Sequence, residues 1–145
     1  MTEFLGVWQL ESFYMATKSG LVKFLPLGKN PHGSLIYTAN GYMSVHLSKQ
    51  KRKIFSSPYA VMGIGKKAEI NDTVRNYVTY CGSYTIKNDT VVHKIESHLI
   101  PNEVGKEYIR HYKFENGKLI LETVPMNIGV FSLVGTLTWT RYHEA

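Results

Sequence analysis

Apolar and polar residues alternate with a period of two along most of this chain, in short runs punctuated by Gly, Asn, Asp and Pro. Side chains leave a strand on alternate sides, so this period marks strands with one face buried and one in water. In the first run Trp8, Leu10, Ser12 and Tyr14 fall on one face, and Lys18-Ser19-Gly20 interrupt it. The following stretch, LVKFLPLGKNPHG, reads as a short strand entering an ordered loop, because two prolines and two glycines break its pattern. SLIYT and YMSVHL flank Ala39-Asn40-Gly41 and form the clearest hairpin, since Asn-Gly between apolar runs tolerates the positive φ of a tight turn. One segment departs from the strand period. Ile70, Val74, Tyr77, Val78 and Cys81 recur at helical spacing, which predicts a helix over about residues 66–80 that packs on the sheet and is ended by Gly82. Beyond it, YTIKNDTVVHKIESHL and EYIRHYKFENGKLILETV each read as strand, turn, strand, with Asn88-Asp89 and Asn116-Gly117 as the turns, and LVGTLTWTRY is a final strand.

Eight to ten strands with one inserted helix, in 145 residues without repeat or linker, predict one all-β domain over residues 1–145. About eight antiparallel strands can close into a barrel around a filled interior or one small ligand, and closure removes the exposed edges. An antiparallel β-barrel is the expected architecture.

Gly6-Val7-Trp8 near the start and Trp139-Thr140-Arg141 near the end resemble the first-strand Gly-x-Trp and the last-strand arginine of lipocalins. The resemblance implies a tryptophan that plugs the closed end of the barrel and an arginine lying over it from the terminal strand. Such a cation–π pair contributes about 0.5–1 kcal/mol when exposed and more when desolvated. A longer likeness, to the bacterial and fungal lipocalin-like domain proteins, runs in order along nearly the whole chain. It is carried by residues 5–10, by 31–38 with 41–45, by 80–84, by 93–97, and by Pro101-Asn102 and Arg110. It implies a lipocalin-like barrel. Some members of that family are encoded beside natural-product biosynthesis genes, but a fold does not fix a function, so the site must be argued from its own residues.

Strand parity sorts the candidate chemistry. Tyr108, Arg110, Tyr112 and Phe114 share a face with Leu119, Leu121 and Thr123 across the Asn116-Gly117 turn. The preceding strand offers Val91, His93, Ile95, Ser97 and Leu99 to the same interior and leaves Val92, Lys94, Glu96 and His98 outside. Apolar walls with a few polar groups suit a ligand cavity. Arg110 is the first candidate, because a guanidinium inside a barrel needs an anion or several acceptors, as a ligand carboxylate, phenolate or enolate would provide; an internal ion pair or an outward register is the alternative. His93 is a candidate for binding a ligand or exchanging a proton, against a structural histidine satisfied by its neighbours. Tyr37 and Tyr112 can donate to a ligand while packing as wall, and Ser97 joins them by parity. His46 shares a face with Tyr42 and Ser44, opposite Met43, Val45 and Leu47, and reaches the interior only if that strand turns its apolar side outward. PYAVMGIG, with Phe55 and Tyr59, is expected as a lid over the mouth. No metal or other cofactor is expected. The histidines lack HxH or HExxH spacing, Cys81 has no thiol partner, and no GxSxG is present.

The chain carries a formal net charge of +6, and its one dense basic block is Lys49, Lys51, Arg52 and Lys53, followed by Lys66 and Lys67. This reads first as a solvated loop, with an anionic membrane surface, nucleic acid or steering of an anionic ligand as alternatives. No nucleic-acid-binding signature accompanies it, so no nucleic-acid partner is expected. A single cysteine excludes an internal disulfide, and the opening MTEFLGVWQLESF looks like the entry to a strand rather than a signal peptide, which together suggest the cytoplasm. No apolar run approaches the roughly 18 residues of a spanning helix. The expected function is binding of a small hydrophobic or aromatic molecule, an anionic one included, in a barrel cavity. A cofactor-independent isomerase or cyclase is the alternative, with His93 moving a proton and Arg110 or a tyrosine stabilising negative charge. A surface module acting through SKQKRK is a third class, and a homodimer stays open.

Overall fold

The alternating runs form ten strands in the computed structural model, which describes residues 2–143. They are β1 (Gly6–Thr17), β2 (Lys23–Phe24), β3 (His32–Tyr37), β4 (Tyr42–Ser48), β5 (Tyr77–Lys87), β6 (Thr90–His98), β7 (Glu107–Glu115), β8 (Lys118–Thr123), β9 (Met126–Ile128) and β10 (Phe131–Arg141). β1, β3, β4, β5, β6, β7, β8 and β10 pair in that order, and β10 returns to β1, closing an antiparallel barrel. β2 pairs with β1 alone and β9 with β10 alone. The strand number and the barrel are those expected from the pattern.

Two hairpin turns show how local sequence sets the pairing. Asn116 and Gly117 both take positive φ, 53° and 74°, the two-residue geometry whose twist matches the flanking strands. At residues 38–42 only Gly41 does so, at 86°, and the turn closes through Gly41 N–H donating to Thr38 O and Thr38 N–H to Tyr42 O.

Three expectations need correction, each for a physical reason. In β1 the register shifts between Leu10 and Ser12, so Glu11 is an extra residue that bulges outward and pairs with Lys118. Trp8 and Leu10 stay inside, but the bulge exchanges the faces beyond it. Phe13 and Met15 turn inward, while Ser12 and Tyr14 do not share the tryptophan's face, and Tyr14 lies under the Lys23 ammonium. Second, the helix α1 spans only Lys67–Arg75. Its Ile70 and Val74 are exposed and its one buried residue is Glu69. Tyr77, Val78, Cys81 and Gly82 belong to β5, because the β-branched and aromatic run YVTYCGSYTI gains two ladders, to β4 and β6, that a helix would forgo. Third, β6 shifts register opposite Gly82: Cys81 pairs with Ser97, but Gly82 pairs with Ile95. Glu96 is the extra residue, and parity inverts after it, so Ser97 faces outward and His98 inward. Gly82 permits this, since a Cβ there would sit 1.8 Å from the Lys94 carbonyl oxygen.

The barrel interior is filled at one end. A single 3-10 turn, Thr2–Phe4, places Phe4 across the strand ends, where its ring meets Tyr37, Tyr112 and Phe114 edge-on at 5.4, 4.7 and 5.1 Å between centroids. Trp8 lies beside them, its indole N–H donating to Phe4 O at 2.9 Å. The Arg141 guanidinium covers the Trp8 ring at 4.2 Å and donates to the carbonyls of Leu5 and Glu3. The tryptophan plug and its arginine are thus present as the resemblance implied, and they tie the first strand to the last.

Candidate functional site

Above the plug the interior opens. A cavity of ≈ 180 Å³ occupies the other half of the barrel, walled by aliphatic and aromatic side chains such as Phe13, Met15, Leu47, Val78 and Leu121. Its polar lining is small: His93, His98, Tyr80, Tyr108, Arg110 and Thr123, with Trp139.

Strand parity delivers Arg110 to this cavity from the middle of β7, opposite Thr123 of β8. Its guanidinium stands 5.0 Å from the centre of the Tyr108 ring, donates to the carbonyl of Ile109 at 3.3 Å, and lies near enough to the Tyr80 hydroxyl to oppose the rise of its pKa. No ion pair among the described residues involves it. The internal pair that would have silenced Arg110 is absent there, and its charge faces the cavity.

His93 is wholly buried and both its ring nitrogens are engaged, Nε2 with the Tyr37 hydroxyl at 2.7 Å and Nδ1 with the Tyr80 hydroxyl at 2.9 Å. Burial, and then the nearby Arg110 charge, hold its pKa down to about 3, so the ring is neutral and has one N–H. Burial keeps both phenols protonated, with Arg110 opposing the rise at Tyr80. Three hydrogens therefore serve two bonds, and one hydroxyl must direct its hydrogen elsewhere. Tyr37 is buried away from the cavity and has no second acceptor among the described residues, whereas Tyr80 lines the cavity. An unpaired buried O–H is costly. The favoured arrangement therefore has Tyr37 donating to Nε2 and Nδ1–H donating to Tyr80, which leaves the Tyr80 hydrogen for the cavity.

His98 is fixed differently. Its Nδ1 accepts the Ile100 N–H at 2.9 Å, so its proton resides on Nε2, which is 3.3 Å from the Tyr108 hydroxyl; Tyr108 in turn donates to Glu103. Lys106 pairs with the same carboxylate, and these bonds, the Lys106 one foremost, keep Glu103 ionised. Burial lowers the His98 pKa against the pull of Glu103. The chain of bonds clamps the β6–β7 connection to the cavity rim and uses up the polar atoms of His98 and Tyr108.

Two further donors face no partner. The Trp139 indole N–H is buried with no hydrogen-bond acceptor among the described residues. The Thr123 hydroxyl oxygen accepts the Gly135 N–H at 2.8 Å, and its own hydrogen is given to no described group. Arg110, Tyr80, Trp139 and Thr123 thus all line one cavity and carry hydrogens not spent on described groups, and among the described residues no carboxylate lines it.

Of the residues singled out from sequence, Arg110 and His93 come together at the cavity. Tyr37 and Tyr112 face inward but lie in the filled half, Tyr37 holding His93 and Tyr112 packing on Phe4 and donating to Asn88 O. His46 is on the outer surface with Tyr77 and Thr79 as partners, because β4 turns Met43, Val45 and Leu47 inward. Ser97 is outside, for the register reason given above. The expected lid does not cover the mouth: Tyr59, Val61 and Met62 are exposed, and none of residues 49–76 lines the cavity. That segment is instead pinned from below by Glu69, whose carboxylate accepts the Lys66 and Ser56 N–H groups at 2.9 and 3.0 Å. Tyr80, His98, Thr123 and Trp139 were not singled out from the sequence. Tyr80 lay inside the expected helix and His98 beyond an unseen bulge, and nothing in the pattern marks the indole or the hydroxyl as unpaired.

An antiparallel barrel plugged at one end by an aromatic cluster, with a donor-lined cavity at the other, defines the class. The model of the lipocalin-like domain matches residues 5–142, and the chain belongs to that family. No curated protein matches the chain. Among solved structures it is similar to the crystal structure of a point mutant of the fluorescent protein UnaG, at 15% identity over 98% of both chains with a TM-score of 0.41. No helix among the described residues is long and apolar enough to cross a membrane.

Proposed function

We propose that this protein binds a small, largely apolar molecule that carries an anionic or acceptor-rich group, a carboxylate, phenolate or enolate, with that group held by Arg110, Tyr80 and Trp139. The observation that carries the reading is the imbalance of the cavity lining: four groups with hydrogens to give, one of them charged, and no carboxylate among the described residues to receive them. An acceptor-rich ligand satisfies all of them, and a charge-assisted bond to Arg110 is about twice as strong as a neutral one. The cavity of ≈ 180 Å³ is close to the ~150 Å³ that encloses a benzene, so the apolar part is about one ring or a short chain. The lone Cys81 favours a reducing, cytoplasmic setting for this role.

Binding is preferred to isomerisation because of His93. The isomerase reading gives that residue a proton to move, yet both its nitrogens are occupied and burial keeps it neutral down to about pH 3. Its role in this proposal is to orient Tyr80.

Native mass spectrometry of protein purified from its own host tests the proposal. A small-molecule mass present in the wild type and absent from Arg110→Ala is expected, and the same molecule returned unchanged after incubation with fresh protein identifies a carrier. A molecule altered on incubation would establish the isomerase instead. A wild-type protein that takes up no small anion would refute both.

A further inference from the structure

The two ends of the barrel differ in more than their filling. The connections at the open end are residues 18–31, 49–76, 99–106 and 124–130. They carry eleven of the chain's seventeen Lys and Arg but three of its eleven Asp and Glu, Glu69, Asp72 and Glu103. Glu69 is buried and spent on backbone N–H groups, and Glu103 is paired with Lys106. The net positive charge of the molecule therefore resides at the mouth, and the remainder of the chain is slightly acidic.

The same connections display the most exposed aliphatic side chains: Val61 98%, Val130 93%, Ile54 89%, Leu21 88% and Met62 74% exposed. Leu21 and Val130 stand together at the rim, lining one shallow depression with Lys18. Ile54, Val61 and Met62 sit on the segment that begins with Lys49, Lys51, Arg52 and Lys53. That segment is not loose. Glu69 caps α1 and holds Ser56, and the Arg52 guanidinium stacks over Tyr77 at 4.7 Å. A fixed loop that presents aliphatic tips between lysines has no use for them in water, since singly exposed aliphatics are ordinary but their concentration at one basic end is not.

We propose that the open end docks on an anionic lipid surface, with the lysines meeting headgroups and Leu21, Ile54, Val61, Met62 and Val130 entering the headgroup–acyl boundary. A protein or nucleic-acid partner would satisfy the charge, but neither calls for isolated aliphatic tips spread over separate loops at one end of the barrel. Lipid does, because the interface accepts scattered apolar side chains without shape complementarity, and each basic residue near an anionic leaflet adds about 1 kcal/mol. The inference stands independently of what the cavity holds; a docked barrel would face its mouth toward the bilayer.

The test is co-sedimentation of the full chain with vesicles of phosphatidylcholine alone, and of phosphatidylcholine with roughly a quarter phosphatidylserine. Binding is expected to the mixed vesicles at low salt, weakly or not at all to the neutral ones, and to weaken as salt shortens the Debye length. Lys51→Glu combined with Arg52→Glu and Lys53→Glu should weaken it by about a hundredfold. Val61→Ser with Met62→Ser should weaken it by about tenfold at unchanged net charge. Lys87→Glu, at the closed end, should leave it unaltered. All of these lie outside the barrel wall or on its solvent face, and unchanged thermal midpoints would verify that the variants fold. Absence of binding to the mixed vesicles, equal binding to both compositions, or insensitivity to the aliphatic substitutions would overturn the proposal. So would equally strong binding to a polyuridylate probe lost in the same basic variant, which would assign the surface to nucleic acid.

Discussion

The two halves of this barrel are built from the same strands yet do opposite things with their interior. In the closed half Phe4, Trp8, Tyr37, Tyr112 and Phe114 fill the space, and each polar atom of the plug is spent within the protein, as when the Trp8 indole bonds to Phe4 O. In the open half an equally buried indole, that of Trp139, has no acceptor among the described residues, and the Arg110 guanidinium lines the same cavity with no counter-ion among them. Buried polar groups are ordinarily satisfied, so the contrast separates a half selected for cohesion from a half kept ready for something else. Stability should therefore depend on the first and ligand affinity on the second.

The largest expected effect is in the plug. Trp8→Ala removes a side chain that is 1% exposed, together with the seat of Arg141, and should cost about 3–5 kcal/mol of unfolding free energy, read by denaturant titration. At the seam between the halves, Gly82→Ala drives a methyl group into the Lys94 carbonyl and should cost about 1–3 kcal/mol. It should also disturb the amide resonances of Glu96, Ser97 and His98 before others, since that bulge sets the face on which His98 stands. A small cost with unshifted resonances would refute the assigned role of the bulge.

Next comes acid sensitivity. An unfolded histidine takes its proton near pH 6.5, whereas His93 in the barrel resists until about pH 3. Between these values the unfolded chain binds more protons, so this contribution to stability is whole above the window and declines as pH falls through it, by up to about 1.4 kcal/mol per pH unit. His93→Gln should flatten that slope, leaving the part due to His98, and equilibrium unfolding at several pH values measures it. The smallest effect is expected from Arg110→Leu, which replaces an unpaired charge by an apolar side chain in the open half and should alter stability by less than about 1 kcal/mol in either direction. A loss comparable to that of Trp8→Ala would abolish the distinction between the halves.

Much of this was legible in the sequence because the period of two reports directly on a half-buried sheet. The barrel and the inward faces of Arg110 and His93 follow from it, the hairpins at Asn116-Gly117 and Gly41 follow from their turn residues, and the Trp8–Arg141 plug follows from the resemblance to lipocalins. What escaped follows from single residues. Glu11 and Glu96 each add one residue to a strand, and a bulge exchanges every face beyond it without altering the local alternation, which is why Ser12 and Ser97 were expected inside and His98 outside. Val78 and Cys81 sit at helical distances from Ile70 and Val74 by coincidence, since the spacing is the same whether or not the chain changes from helix to strand at Asn76. The satisfaction of a hydroxyl or an indole depends on partners far apart in the chain, such as Tyr37 and His93, and leaves no trace in periodicity.

The most direct test uses the two tryptophans, one in each half, by recording their indole N–H resonances while titrating phenylacetate, and separately its neutral amide. The account predicts that phenylacetate shifts the Trp139 resonance in a saturable manner and leaves Trp8 in place, that the amide does so far more weakly, and that Arg110→Leu abolishes the response. An unmoved Trp139, both resonances moving together, or an amide as effective as the acid would contradict an anion-orienting cavity in the open half.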